Sequence, residues 1–195
     1  MTCTVSARIL AVDPGNTQSG WALIAADTRV PLQFGKSDND ELRKKLLMGD
    51  LEADLCAIEM VASYGMAVGK DVFETCVWIG RFLECVRSEA HLVYRRPVKL
   101  HFCYSAKAKD SNISQALVDR FAPGQPNHGK GTKSAPGWFY GFAKDAWQAY
   151  ALAVYAADCL CDDLSVEDGS RVLGDQLGAD RAQGRAGAAS TRGLR

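Results

Sequence analysis

The sequence predicts an α/β fold with a mixed sheet covered by helices on both faces. Three observations carry that prediction. The N-terminal part is a series of short apolar segments broken by turn residues. Strand-like and helix-like segments then alternate. The patterned region closes on a helix that is apolar nearly all round. With 195 residues, 47% of them hydrophobic, the chain can bury the core of one domain and still carry a tail.

The elements follow in order. Residues 6–13 read as a strand that stops at the turn formers Pro14-Gly15-Asn16. A second strand fits Gly20 to Ala25 and a third Pro31 to Gly35, making a three-strand meander. Ser37 to Asp40 supply N-cap choices for a helix through Glu41–Leu47. Leu55-Cys56-Ala57-Ile58-Glu59 is a short apolar strand. Between residues 69 and 89, apolar positions recur at Val72, Phe73, Cys76, Ile79, Leu83 and Val86, which predicts a long amphipathic helix. Leu92–Tyr94 and Val98–Cys103 read as β-like, and Ser111–Phe121 as a helix with Ile113, Leu117 and Val118 on one face. Residues 122–137 form a loop rich in Gly, Pro and Lys, and Phe142–Cys161 an apolar helix. Beyond about Leu164, glycines alternate with Arg, Asp, Ala and Ser without a core-forming period. Residues 1–164 are therefore expected to form the folded domain and 165–195 a flexible tail.

Composition narrows the function classes. The N-terminus lacks the basic-then-apolar shape of a signal peptide, and no apolar run is long enough to span a membrane. Seven scattered cysteines without a CxxC pair read as reduced thiols of a cytoplasmic protein. A net charge of zero argues against a nonspecific polyelectrolyte binder. The charge is unevenly distributed, however. Between Tyr94 and Lys133 stand Arg95, Arg96, Lys99, Lys107, Lys109, Arg120, Lys130 and Lys133, opposed only by Asp110 and Asp119. Taken alone such a stretch is most often a solvated surface, but it is also the field that a phosphate backbone would feel.

Three carboxylates suggest a chemistry. Asp13 ends the first strand and Glu59 the fourth, at the carboxyl edge where open α/β sheets bind ligands. Asp145 opens the last helix, in FAKDAWQAYALAVY. Separately, these are a turn former, a surface charge and a helix-dipole partner. Brought together they would repel one another and call for a hard cation such as Mg²⁺. Two such ions can activate a water and stabilise the leaving oxygen in phosphodiester hydrolysis.

Asp13-Pro14-Gly15 with Gly20, Ala57-Ile58-Glu59, and Asp145-Ala146 followed by Ala149, Ala151 and Ala153 resemble the RuvC-type Holliday junction resolvases. The stretches KAKDSNISQALVDRF and KSAPGWFYGFAKDAW look like the phage and prophage branch of that family. The resemblance covers roughly residues 7 to 160. It implies a ribonuclease H-like fold with a five-stranded mixed sheet and helices on both faces. It also implies a homodimer that cuts four-way DNA junctions with paired symmetric nicks, using two Mg²⁺ or Mn²⁺ ions per active site.

By motif match, Asp13, Glu59 and Asp145 would be the metal ligands. The family's second acid on the last helix, three residues after the first, is Gln148 here, a weaker ligand that could orient water instead. Lys107 and Lys109 precede the 111–121 helix, where the family places a basic residue near the scissile phosphate; either could offset charge on the phosphorane or merely position DNA. Lys130 and Lys133, in a loop with flexible glycines, could embrace a junction arm, with His128 a bystander. Tyr64 could stack at the junction centre. On the 69–89 helix, Trp78, Phe82 and Cys85 are candidate dimer-interface residues, or else intramolecular core. Three other readings remain: a junction-binding protein whose nuclease centre is degraded at Gln148, an RNA-processing nuclease of the same fold, and an actin-like ATPase or sugar kinase. The last would need a second Gly-rich phosphate loop, which the sequence lacks.

Overall fold

The computed structural model describes residues 7–159 apart from Tyr64 and Met66. The expected tail, residues 165–195, and Tyr64 lie outside the described residues. The chain runs β1 (Arg8–Asp13), β2 (Gln18–Ala25), β3 (Pro31–Asp38), α1 (Asn39–Met48), β4 (Leu55–Met60), α2 (Lys70–Cys85), β5 (Glu89–Tyr94), α3 (Arg95–Cys103), α4 (Asp110–Phe121) and α5 (Lys144–Cys159). The five strands lie in the order β3-β2-β1-β4-β5. The first three form an antiparallel meander, and β4 and β5 run parallel to β1. This is the five-stranded mixed sheet of the ribonuclease H-like fold.

Strand alternation sends side chains to two cores. On one face Ile9 and Ala11 of β1, Ala22 and Ile24 of β2, and Leu55 and Ala57 of β4 pack under α5, together with residues of α3 and α4. On the other, Leu10, Val12, Trp21, Leu23, Cys56 and Ile58 pack against Leu42 and Leu46 of α1 and Ile79 and Phe82 of α2. The first face is rich in alanine on both the sheet and the helix side. Small side chains let α5 lie close to the strands, and α5 is buried along most of its length. No described helix is long and apolar enough to cross a membrane.

Two expectations need correction. The helix expected over 69–89 stops at Cys85, and the chain re-enters the sheet at Glu89. Val98–Cys103, expected as β-like, belongs to α3. The alternation of Val98, Leu100 and Phe102 imitates a strand, yet Val98 is buried while Leu100 is exposed. Pro97 sits in the first turn of α3, where a backbone N–H has no intrahelical partner to lose. The interface candidates also move: Phe82 and Cys85 are buried in the second core. Trp78 packs on Phe82 with ring centroids 5.7 Å apart and lies under the Arg81 guanidinium. The exposed apolar side chains of α2 are instead Phe73 and Val77, 61% and 54% exposed.

Candidate active site

Asp13 and Glu59 stand where the sheet alternation puts them. Asp13 continues the face of Ile9 and Ala11, and Glu59 the face of Leu55 and Ala57. The parallel β1–β4 ladder ends at Val12–Ile58, so these acids are the next residues on adjacent strands, at the same carboxyl edge. Across the row, Asp13 pairs with Gly20, and Gly20 with Lys36.

Asp145 reaches that row from α5. A Cβ on Gly20 would lie 2.8 Å from the Asp145 carbonyl oxygen and 3.2 Å from its Cβ. The missing side chain of Gly20 is thus the space into which the start of α5 docks beside Asp13. The Asp145 carboxylate is held by Lys36 Nζ at 3.2 Å.

The turn after β1 is braced rather than loose. Asn39 Nδ2 donates to the Gly15 carbonyl at 2.9 Å, and the Ser19 hydroxyl donates to Asn39 Oδ1 at 2.6 Å. Asn16 Nδ2 donates to Asp71 Oδ1 of α2 at 3.3 Å. Ser19 and Asn39 are buried polar residues that no sequence motif singled out. Their role depends on pairing between β2 and the start of α1.

Two further residues of the site were missed. Arg95 opens α3 directly after β5, and Asp110 opens α4. Arg95 Nη1 donates to Glu59 Oε2 at 3.1 Å and Nη2 donates to Asp110 Oδ1 at 2.7 Å. The starts of α3, α4 and α5 therefore meet the ends of β1 and β4 at one edge. Both residues were visible in the sequence, Arg95 as one of a basic run and Asp110 as a charge opposing it. What pointed to neither was the α3 helix, which turns the chain back so that they meet.

The electrostatics are those of a carboxylate cluster short of positive charge. Desolvation pushes the Asp13 carboxyl up, with Asp145 and Asp110 adding to the effect and Arg95 and Lys36 opposing it. Desolvation also raises Glu59, with Asp13 as the next cause, against the attraction of Arg95. Asp13 thus feels both Glu59 and Asp145, and the sequence-expected acids come to one edge. They do not come to one ligating arrangement. Among the described residues no three His, Cys, Asp or Glu side chains are placed to hold a metal ion. In this arrangement Arg95 holds Glu59 and Lys36 holds Asp145. The donor chemistry nevertheless fits a hard divalent cation. All the donors are carboxylate oxygens, and the four acids outnumber the two nearby cations.

The remaining candidates take these places. Gln148 lies in α5, one turn after Asp145, buried, with Oε1 lacking a hydrogen-bond partner among the described residues. Lys107 and Lys109 are both exposed in the α3–α4 connection, and Lys109 immediately precedes Asp110. Lys130 is half-buried and Lys133 exposed, in a small hairpin closed by a Gly131–Pro136 bridge and a 3.0 Å bond from the Gly137 N–H to the Lys130 carbonyl. The glycines expected to make this loop flexible instead permit close approach. Gly131 has a φ of +66°, and any Cβ there would strike the Ala135 carbonyl. His128 is exposed, also at positive φ.

The structure is similar to that of Thermus thermophilus RuvC, with a TM-score of 0.59 and 14% identity, over 80% of this chain and 96% of that one. The chain has the RuvC fold. A structure of T. thermophilus RuvC in complex with a Holliday junction substrate matches with a TM-score of 0.57 and 14% identity, over 77% of this chain and 93% of that one. No protein-family model and no curated protein matches the sequence. The likeness to RuvC is thus one of fold.

Proposed function

We propose that the chain is a structure-selective endonuclease that resolves four-way DNA junctions by divalent-metal-dependent phosphodiester hydrolysis. The observation that carries this reading is the adjacency of Asp13 and Glu59 at the ends of parallel strands, with the start of α5 docked over Gly20 on a RuvC fold. A RuvC of this fold has been seen with a Holliday junction substrate, which supports branched DNA as the substrate class.

Asp13, Glu59 and Asp145 are the residues that would hold Mg²⁺ or Mn²⁺, two ions per site. Bound there, the metal would supply a Lewis acid and a water of lowered pKa. The chain's own residues do the rest. The carboxylate row aims at the phosphate that enters beside the sheet edge. Lys107 or Lys109, next to Asp110, offsets negative charge developing on that phosphate. Gln148, buried one turn into α5, orients rather than ligates. Lys130 and Lys133 present a second cationic edge from the hairpin and neutralise phosphates of a junction arm without reading sequence. Two copies of the site are needed for paired nicks, and a homodimer supplies them; the exposed Phe73 and Val77 on α2 support association through that helix. KAKDSNISQALVDRF and the glycine-containing hairpin favour the phage branch of the family.

The test is a nicking assay on a synthetic four-way junction with Mg²⁺. Symmetric nicks in opposing strands support the reading, and the same sequence as linear duplex should remain intact. A second reading, junction binding with little or no cleavage, is favoured by one observation: Arg95 engages Glu59, and no three acids are arranged as ligands. Binding without cutting under any divalent ion would decide for it. Preferential cutting of structured RNA over branched DNA would point instead to an RNA-processing nuclease.

A further inference from the structure

The catalytic reading uses the acids of the sheet edge and gives Arg95 no part, yet Arg95 is the best-held side chain there. Its side chain is only 19% exposed, and the guanidinium bridges the Glu59 carboxylate, whose side chain is 17% exposed, to Asp110. The two bonds use two different terminal nitrogens, so the planar fork is fixed from both sides. Its backbone is fixed as well, as the first residue of α3 directly after β5. The oxygen it takes, Glu59 Oε2, belongs to a residue assigned to the metal. A guanidinium 3.1 Å from that oxygen occupies one of its lone pairs, offsets its charge and repels a second cation, so it competes with a metal ion for the carboxylate. Lys36 stands differently at Asp145, because its side chain is 45% exposed and can move into water.

We propose that Arg95 is a resident counterion of the site, which competes with divalent cations for Glu59 and leaves that carboxylate when metal is bound. The proposal rests on the metal-dependent reading above and adds a regulatory device to it. Arg95 keeps the affinity for metal below what Asp13, Glu59, Asp110 and Asp145 would provide alone. Once released from Glu59, its fork faces the same edge and matches the geometry of a phosphate. Arg95 is a positioning residue in this sense, acting through Glu59. A purely structural Arg95, bracing β4 to α3 and α4, makes the opposite prediction: its loss would loosen Glu59 and weaken metal binding.

The test is calorimetric titration of the full chain with MnCl₂, without DNA and at alkaline pH so that the carboxylates are ionised. Wild type, Arg95→Gln and Arg95→Lys are compared, with circular dichroism to verify the fold. Arg95→Gln should bind Mn²⁺ about tenfold or more tightly than wild type, since a full positive charge beside the ion is gone. Arg95→Lys, which keeps the charge but cannot bridge both acids, should fall between. Equal or weaker binding by folded Arg95→Gln overturns the proposal. Should that variant not fold, the ¹⁵N signals of the Arg95 guanidinium in wild type provide the readout during MgCl₂ titration. They should leave their ion-paired position as Mg²⁺ binds; signals that stay put while Mg²⁺ binds overturn the competition. Failure of every variant and of wild type to bind either ion strikes down the metal-dependent reading itself, an outcome distinct from equal affinities.

Discussion

The two ends of α5 place their carboxylates in opposite surroundings. At the start, Asp145 joins Asp13, Glu59 and Asp110 around Arg95 and Lys36, and burial pushes the Asp13 and Glu59 carboxyls up. At the far end, Asp158 is met by two arginines and a histidine. Arg29 Nη2 donates to it at 2.9 Å, Arg120 Nη2 at 3.0 Å and His101 Nε2 pairs with it at 2.9 Å. Burial alone would raise Asp158, but the hydrogen bonds from Arg120, His101 and Arg29 hold it down to about 2. The first end leaves negative charge uncompensated and so has capacity to take up a cation. The second is saturated, and ties the β2–β3 turn, α3 and α4 to the helix. On the proposed function, the first end is arranged for chemistry at a cost in stability, while the second contributes to stability.

The largest expected effect breaks the first end. Asp13→Asn should lower junction cutting by about 10³-fold or more while junction binding persists. The same substitution removes a buried, poorly compensated charge, so its Tm should equal or exceed that of wild type. Cutting at the wild-type rate would show that the carboxylate edge is not the catalytic site. Breaking the second end should do the reverse. Asp158→Ala leaves Arg29, Arg120 and His101 facing one another and should cost about 2–3 kcal/mol in denaturant unfolding. Cutting per folded molecule should not change.

A third substitution tests how the first end is assembled. In Gly20→Ala, the added Cβ meets the Asp145 carbonyl at 2.8 Å, and backbone must shift to relieve it. The start of α5 should move away from Asp13, costing about 1–3 kcal/mol as overpacking does. Because Asp145 moves with the helix, kcat should fall about tenfold or more with little change in KM. Equal losses of stability and junction affinity with kcat intact would mean that Asp145 need not sit beside Asp13.

How much of this contrast was legible in the sequence depends on how far apart the partners lie. Asp13 and Glu59 could be read as neighbours because each ends a strand and parallel strands share a carboxyl edge. Asp145 could be read because a helix start near that edge is a local pattern. Arg95 could not, since its partners lie 36 and 15 residues away and the α3 helix between them imitates a strand. Asp158 was invisible for the same reason: Arg29 is 129 residues distant and reaches it only because the β2–β3 turn folds over the end of α5. The three-strand meander and a sheet covered on both faces followed from periodicity and turn residues, whereas the five-stranded mixed sheet came from the resemblance. Between interface and core for Trp78, Phe82 and Cys85 the sequence did not decide, because period alone leaves the phase of α2 open, and Phe82 and Cys85 lie in the core.

The smallest effect sharpens the comparison, because pH acts on the two ends with opposite sign. The Asp13–Glu59 pair has native values near 6 and 7 against ordinary values of 3.8 and 4.5. Between about pH 4 and 7 the native state therefore binds more protons than the unfolded chain, and stability rises as pH falls through that window. Asp158 runs the other way. Its native value of about 2 lies below the ordinary 3.8, so its contribution is complete above about pH 4 and is lost as pH falls toward 2. With metal chelated, Tm should climb from pH 8 to about pH 5 and then drop below pH 4. Asp13→Asn should reduce the climb, with buried Glu59 supplying what remains, and leave the drop. Asp158→Ala should flatten the drop and leave the climb. Divalent ions should abolish the climb by holding the pair ionised, so a climb that persists unchanged in saturating Mg²⁺ would place the metal away from Asp13 and Glu59.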